Sequence, residues 1–346
     1  VTGGYGNNGN VAEAQSTCAN VPRIAALINI ATGAVDTSTV SNDIYNMNNS
    51  RGVYTQNGST VYLSGQGAGA SDEGGLYLTS VGNNTTTGGS APTGIFNKVS
   101  TRTVSEWNID AANGVFTTTP NLYYAADQNS SSKGTQTGLF EYSGLPTTSQ
   151  GSNTGTRITP VSGTVNGQTV NFSPEGYFFA NATTLYIADT GSPKAGGNGD
   201  GGIQKWSFSS ANQVWTLDYT LTYNFAANGN GETGFESLAA QVVNGQVYLY
   251  ATTYTTADDA PDGLYGVVDN LSYTTAAQAS SETVVELAAS TSDMDFKGVA
   301  VVPAAQPPSD TPTMPAWGLL ALASTLMALA FWFLPATKIQ LGDIRD

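Results

Sequence analysis

The feature that most constrains this chain is a repeat. A strand pattern recurs four times at intervals of about 62 residues. Its second strand reads Val61-Tyr62-Leu63, Leu122-Tyr123-Tyr124, Leu185-Tyr186-Ile187 and Val247-Tyr248-Leu249. Its third strand follows in step as Gly75-Leu76-Tyr77, Gly138-Leu139-Phe140, Gly202-Ile203-Gln204 and Gly263-Leu264-Tyr265. One such unit cannot bury its apolar side chains alone. Neighbouring units bury them for one another, and radial repetition leaves only short sheet edges. The expected fold class is all-β, a β-propeller of four-stranded blades.

Innermost strands are expected to begin near Gly52, Gly114, Gly176 and Leu238. Fourth strands are expected over 103–107, 157–161, 214–217 and 284–287. Two more strands, 23–30 and 34–40, flank the turn Ala31-Thr32-Gly33. A fifth copy of the innermost strand stands alone at Phe296-Lys297-Gly298-Val299-Ala300-Val301-Val302. An open ring leaves two edges unpaired. Pairing this last strand with the two N-terminal ones closes the ring, so five blades are favoured, the last built from both termini. The division is then 1–22 irregular arm, 23–303 propeller, 304–315 Pro-rich linker, 316–335 apolar α-helix and 336–346 polar tail.

Composition narrows the function. There are 26 Asp and Glu against 11 Lys and Arg, a net charge of -15. Nucleic acid is not an expected partner, because phosphate binding needs clustered cations. The chain has no histidine, which excludes haem attachment, zinc hydrolysis and Ser-His-Asp chemistry. Cys18 is the single cysteine, so no internal disulfide forms. Val1 is not a methionine, and an export signal removed from a precursor is the expectation.

Residues 316–334 carry no charge. At 1.5 Å per residue a helix of that length spans roughly 28 Å, close to the hydrocarbon core of a bilayer. Trp317 and Trp332 stand near its two ends, where interfacial aromatics belong. Gly318, Ala321, Ser324 and Ala328 are small enough for helices to approach closely. The segment therefore suits a membrane or copies of itself. Pro312-Thr313-Met314-Pro315-Ala316-Trp317-Gly318-Leu319-Leu320 and the apolar run resemble the C-terminal sorting segments of exported bacterial proteins. The nearest group is named for an Ile-Pro-Thr-Leu signature and is related in layout to the Pro-Glu-Pro class. Thr311 stands where that signature has Ile, and Met314 where it has Leu. Lys338 to Arg345 replaces the usual terminal Arg cluster, which favours a retained helix. The resemblance implies a Gram-negative envelope or surface address.

In a propeller the turns leading into the innermost strands surround one axis. Here they carry Arg51, Asn113, Glu175, Glu236 and Lys297. No catalytic residue is assigned on the primary reading. In the alternative, Glu175 and Glu236 are the paired acids of a polysaccharide hydrolase or lyase. A salt-bridged plug is the plain structural reading of the same residues. The loops after the second strands are acidic. Asp189, Asp200, Asp258, Asp259 and Asp262 are the carboxylates that calcium could use, with solvated turns as the plain reading. No other cofactor is expected. The expected function is an exported, surface-displayed structural or binding protein: a surface-layer or filament subunit, or an adhesin, with a glycan as a candidate partner.

Overall fold

The computed structural model describes residues 2–4, 15–67, 74–97, 99–127, 129–130, 134–135, 137–159, 163–165, 168–170, 172–191, 201–225, 232–255, 261–291 and 296–301. The first sheet has three strands, β1 (Thr2–Gly4), β2 (Arg23–Ile28) and β3 (Val35–Ser41), in the order β1-β2-β3. Four four-stranded antiparallel sheets follow. The first holds β4 (Ser50–Tyr54), β5 (Thr60–Gly65), β6 (Gly75–Ser80) and β7 (Thr93–Asn97). The second holds β8 (Thr101–Asp110) and β9 (Val115–Ala126), then, past a small hairpin of β10 (Asn129–Ser130) and β11 (Gly134–Thr135), β12 (Gly138–Tyr142) and β13 (Thr156–Arg157). A second hairpin, β14 (Gly163–Val165) with β15 (Gln168–Val170), precedes the third sheet. That sheet runs β16 (Pro174–Asn181), β17 (Thr184–Asp189), β18 (Gly202–Ser209), β19 (Val214–Leu221). The fourth runs β20 (Glu232–Val243), β21 (Gln246–Thr255), β22 (Gly263–Asn270), β23 (Val285–Ala289).

The first strands of successive sheets pack side by side: β1 on β4, β4 on β8, β8 on β16, β16 on β20. This is an all-β propeller arrangement of four four-stranded blades, with the three-stranded sheet beside the first. Between the five sheets lie four apolar clusters, one per junction. Tyr45, Val61 and Leu63 fill the first, Leu76, Tyr124 and Phe140 the second. Tyr123, Phe179, Trp206 and Trp215 fill the third, Phe225, Phe235 and Tyr265 the fourth. Except in β21, which leaves Tyr248 exposed, a second strand is covered by a sheet on each face. Its apolar residues therefore run without alternation, and β17 is buried at every position. The aromatic-aliphatic triplets are the sequence form of that geometry.

Three expectations are corrected. Gly114 does not start an innermost strand. It has φ +65° and forms the turn between β8 and β9, while the innermost strand of that blade is β8. Residues 103–107 are accordingly part of β8 and not a fourth strand; the fourth strand of the preceding blade is β7. Finally, β1 takes the place beside β2 that was expected for 296–302, with Gly3 opposite Ile24, and 296–301 carries no strand. Closure of the last blade by both termini is thus not how this sheet is built. The linker, apolar helix and tail expected over 304–346 lie outside the described residues. No helix among the described residues is long and apolar enough to cross a membrane.

Candidate functional site

Each innermost strand of the four blades breaks its pairing register near its start. The breaks fall between Ser50 and Gly52, Thr101 and Val104, Pro174 and Tyr177, and Phe235 and Ser237. A bulge leaves a residue unpaired and re-aims its side chain. The residues so placed are Arg51, Arg102, Glu175 and Glu236. Neighbouring backbones come very close here. A Cβ on Gly52 would lie 3.1 Å from the Arg102 carbonyl oxygen, and one on Gly176 would lie 2.6 Å from the Leu238 nitrogen. At these two positions glycine is therefore a packing requirement, which explains Arg51-Gly52 and Glu175-Gly176.

The side chains form one network. Arg102 Nη1 meets Glu175 Oε1 at 2.8 Å, and its Nη2 meets Asp127 Oδ2 at 3.3 Å. Arg51 donates through Nη1 to Ser100 Oγ and through Nη2 to Gln66 Oε1, both at 2.9 Å. Lys297, half exposed, lies 3.5 Å from Glu236 Oε2. Glu175 is 5 % exposed. Burial pushes its carboxyl up to about 7, against the pull of Arg102 and Arg51 and with the push of Glu236 and Asp127. Burial likewise lowers the Arg51 guanidinium to about 10, helped by Arg102 and resisted by the carboxylates. Glu236 is raised by burial, with Lys297 and then Arg102 opposing. Among the described residues, Arg102 Nε, a buried donor, meets no hydrogen-bond acceptor, and Glu236 Oε2 is held by Lys297 alone.

Four of the five residues picked from sequence are thus in or beside this network, and one is not. Asn113 sits exposed in the β8–β9 turn, where its Nδ2 donates to Asp110 Oδ2 at 2.8 Å. Its place belongs to Arg102. The clue was present, since Ser50-Arg51 and Thr101-Arg102 match, but uneven spacing concealed it. Glu175, Glu236 and Lys297 recur about every 60 residues, whereas Arg102 follows Arg51 after only about 50.

The acidic loops do structural work where they are described. Asp189 Oδ1 accepts from the Ser173 and Gly191 N–H groups at 3.0 and 2.8 Å, and its Oδ2 accepts from Gln204 Nε2 at 2.7 Å. Asp262 accepts the Phe296 N–H on both oxygens at 2.9 Å. Asp189 thus ties the residue before β16 to the end of β17, and Asp262 ties the segment 296–301 to the residue before β22. Asp200, Asp258 and Asp259 lie outside the described residues, as do Trp317, Gly318, Ala321, Ser324, Ala328 and Trp332. No group of three His, Cys, Asp or Glu among the described residues could hold a metal ion.

No family model matches this sequence, and neither does any curated protein. Neither comparison supports the sorting-segment resemblance of the C-terminal end. Among solved structures, the chain is similar to the crystal structure of an exo-1,5-alpha-L-arabinanase from a bovine ruminal metagenomic library. The match has 11% identity and a TM-score of 0.36 over 69% of this chain and 79% of that one. A likeness that weak carries no argument about fold or function, and the propeller rests on the sheet order above.

Proposed function

We propose that this chain is an exported, surface-displayed propeller that binds a hydroxyl-rich ligand, such as a glycan terminus, at the converging ends of its innermost strands. The observation that carries the reading is Arg102 Nε, a buried donor without a hydrogen-bond acceptor among the described residues, together with Glu236 Oε2, which is held there only by the half-exposed Lys297 at 3.5 Å. Leaving such a donor unpaired costs about 1–3 kcal/mol. A sugar hydroxyl both donates and accepts, so adjacent hydroxyls can fill a guanidinium N–H and a carboxylate oxygen together. Each glutamate already faces a cation, which suits holding a neutral ligand better than cleaving one. On this reading the three-stranded sheet is a fifth blade, and 296–301 delivers Lys297 beside Glu236. The charge-free run 316–334 attaches the propeller to the membrane or to further copies at a Gram-negative envelope.

Equilibrium binding to an immobilised glycan panel tests the site. The wild-type chain is expected to retain at least one glycan, and Glu236→Gln to weaken it at least about tenfold. A wild-type chain that retains none removes the proposal. Cell fractionation tests the attachment, since recovery only as free monomer in the medium contradicts it. A second reading, hydrolysis or elimination on a polysaccharide, is favoured by Glu175 alone, because a carboxyl near 7 suits a general acid. Turnover of any panel member by the wild type, lost in Glu175→Gln, would put catalysis in place of binding.

A further inference from the structure

A second charged cluster lies between the third and fourth blades, away from the network above. Lys205 on β18 and Asp269 on β22 are both fully buried, with Nζ 2.7 Å from Oδ2. Nζ also donates to the Asn270 carbonyl at 2.8 Å and sits 5.5 and 5.3 Å from the ring centres of Tyr186 and Tyr219. Both phenols donate to Asp269, Tyr186 to Oδ2 and Tyr219 to Oδ1. Glu282 stands at the edge of the cluster. Its Oε1 accepts the Asn270 N–H at 2.9 Å, and its buried Oε2 meets no donor among the described residues. Other buried carboxylates are satisfied differently: Glu141 on β12 takes Asn121, Tyr123 and two backbone N–H groups. Asp269 is given a primary amine.

We propose that Lys205 and Asp269 are joined by an intramolecular amide bond, formed by the folded chain itself with Glu282 as the proton carrier. The reaction is a condensation that needs no other reactant. The Nζ–Cγ bond forms and one Cγ–O bond of Asp269 breaks. Of the three ammonium protons, one remains on the amide nitrogen and two leave with the carboxylate oxygen as water. The buried ion pair becomes a neutral amide, so charge balances and the desolvation of two ions is relieved. One ammonium proton passes directly to Asp269 Oδ2, 2.7 Å away; Glu282, protonated at the start, gives its proton to the departing oxygen and takes the second one from the amine. Burial first, and then Asp269 beside it, push its carboxyl up to about 8, so it can hold a proton near neutrality. The Tyr186 and Tyr219 hydroxyls sit where negative charge develops on the carboxyl oxygens. Burial and Asp269 hold both phenols far above their ordinary value, so they remain donors. Glu282 also lines a concavity of about 550 Å³ on the fourth blade, a way out for the water. The bond would tie two blades across 64 residues of sequence, a covalent brace suited to a chain exposed outside the cell.

Intact-mass spectrometry of the purified full-length chain tests this. The expected mass is about 18 Da below that of the sequence, one water lost. Chymotryptic digestion then gives one branched peptide containing Lys205 and Asp269, and trypsin leaves the Lys205–Trp206 bond uncut. Lys205→Arg, which keeps the charge but cannot condense, and Glu282→Gln are expected at full mass. Asp269→Asn is expected to lose about 17 Da instead, as ammonia leaves in place of water. Folded wild-type chain at its full mass overturns the proposal, and so does a water loss that persists in Lys205→Arg. The wild-type measurement decides even if a variant does not fold.

Discussion

Replacing Glu175 by glutamine should change how stability depends on pH, and the buried network sets the size. The folded-state carboxyl sits at about 7, above its ordinary 4.5, because burial outweighs the two arginines. Between those values the folded chain binds a proton that the unfolded chain has lost. Glu175 therefore favours the folded state fully below pH 4.5, and that contribution fades as pH rises through about 7. The gap corresponds to about 3 kcal/mol, and at 5 % exposure little of it is lost to solvent screening. Glu175→Gln keeps the shape and removes the titration. Urea unfolding at pH 4.5, 6, 7 and 8 should show the variant gaining on the wild type by about 3 kcal/mol across the series. Burial also raises Glu141, Asp218, Glu236 and Glu282, so both chains should weaken as pH rises. Only the difference between the two chains isolates Glu175. Parallel profiles would refute the reasoning, for they would mean that the carboxyl is solvated or that the arginines already hold it ionised.

Other substitutions probe separate parts of the account. Arg102→Met leaves Glu175 and Asp127 facing no guanidinium from β8, and should cost about 3–5 kcal/mol at pH 8 by urea unfolding, and less at pH 5. Gly176→Ala drives a Cβ to 2.6 Å from the Leu238 nitrogen and should cost about 1–3 kcal/mol. Gly298→Ala, where nothing lies within 4 Å, should be near neutral in the same assay. Trp206→Ala empties a fully buried site in the third cluster and should cost about 3–5 kcal/mol.

Much of the architecture was legible because its strongest signal is local. A second strand covered on both faces must be apolar throughout, so the triplets at 61, 122 and 185 mark β5, β9 and β17 directly; the triplet at 247 marks β21 although its Tyr248 is exposed. The leading glycines at 75, 138, 202 and 263 open β6, β12, β18 and β22; the first two have positive φ, and a Cβ on Gly202 or Gly263 would lie 2.6 or 2.5 Å from a neighbouring atom. The second blade was misread because β9 has 12 residues and starts with an exposed tail. Val115-Phe116 then looked like a new strand, and Gly114 like its start. That error put Asn113 in the site and left Arg102 out. Lys205 and Asp269 were not legible at all. They lie 64 residues apart on different blades, and only the stacking of the third blade on the fourth brings an amine to a carboxylate.

The most direct test of the binding claim is a crystal structure of the chain soaked with whichever glycan the panel selects. The account predicts a sugar hydroxyl within hydrogen-bond distance of both Arg102 Nε and Glu236 Oε2, with Glu175 still paired to Arg102. A ligand seated elsewhere, with those two atoms bonded to each other or to water alone, would contradict it.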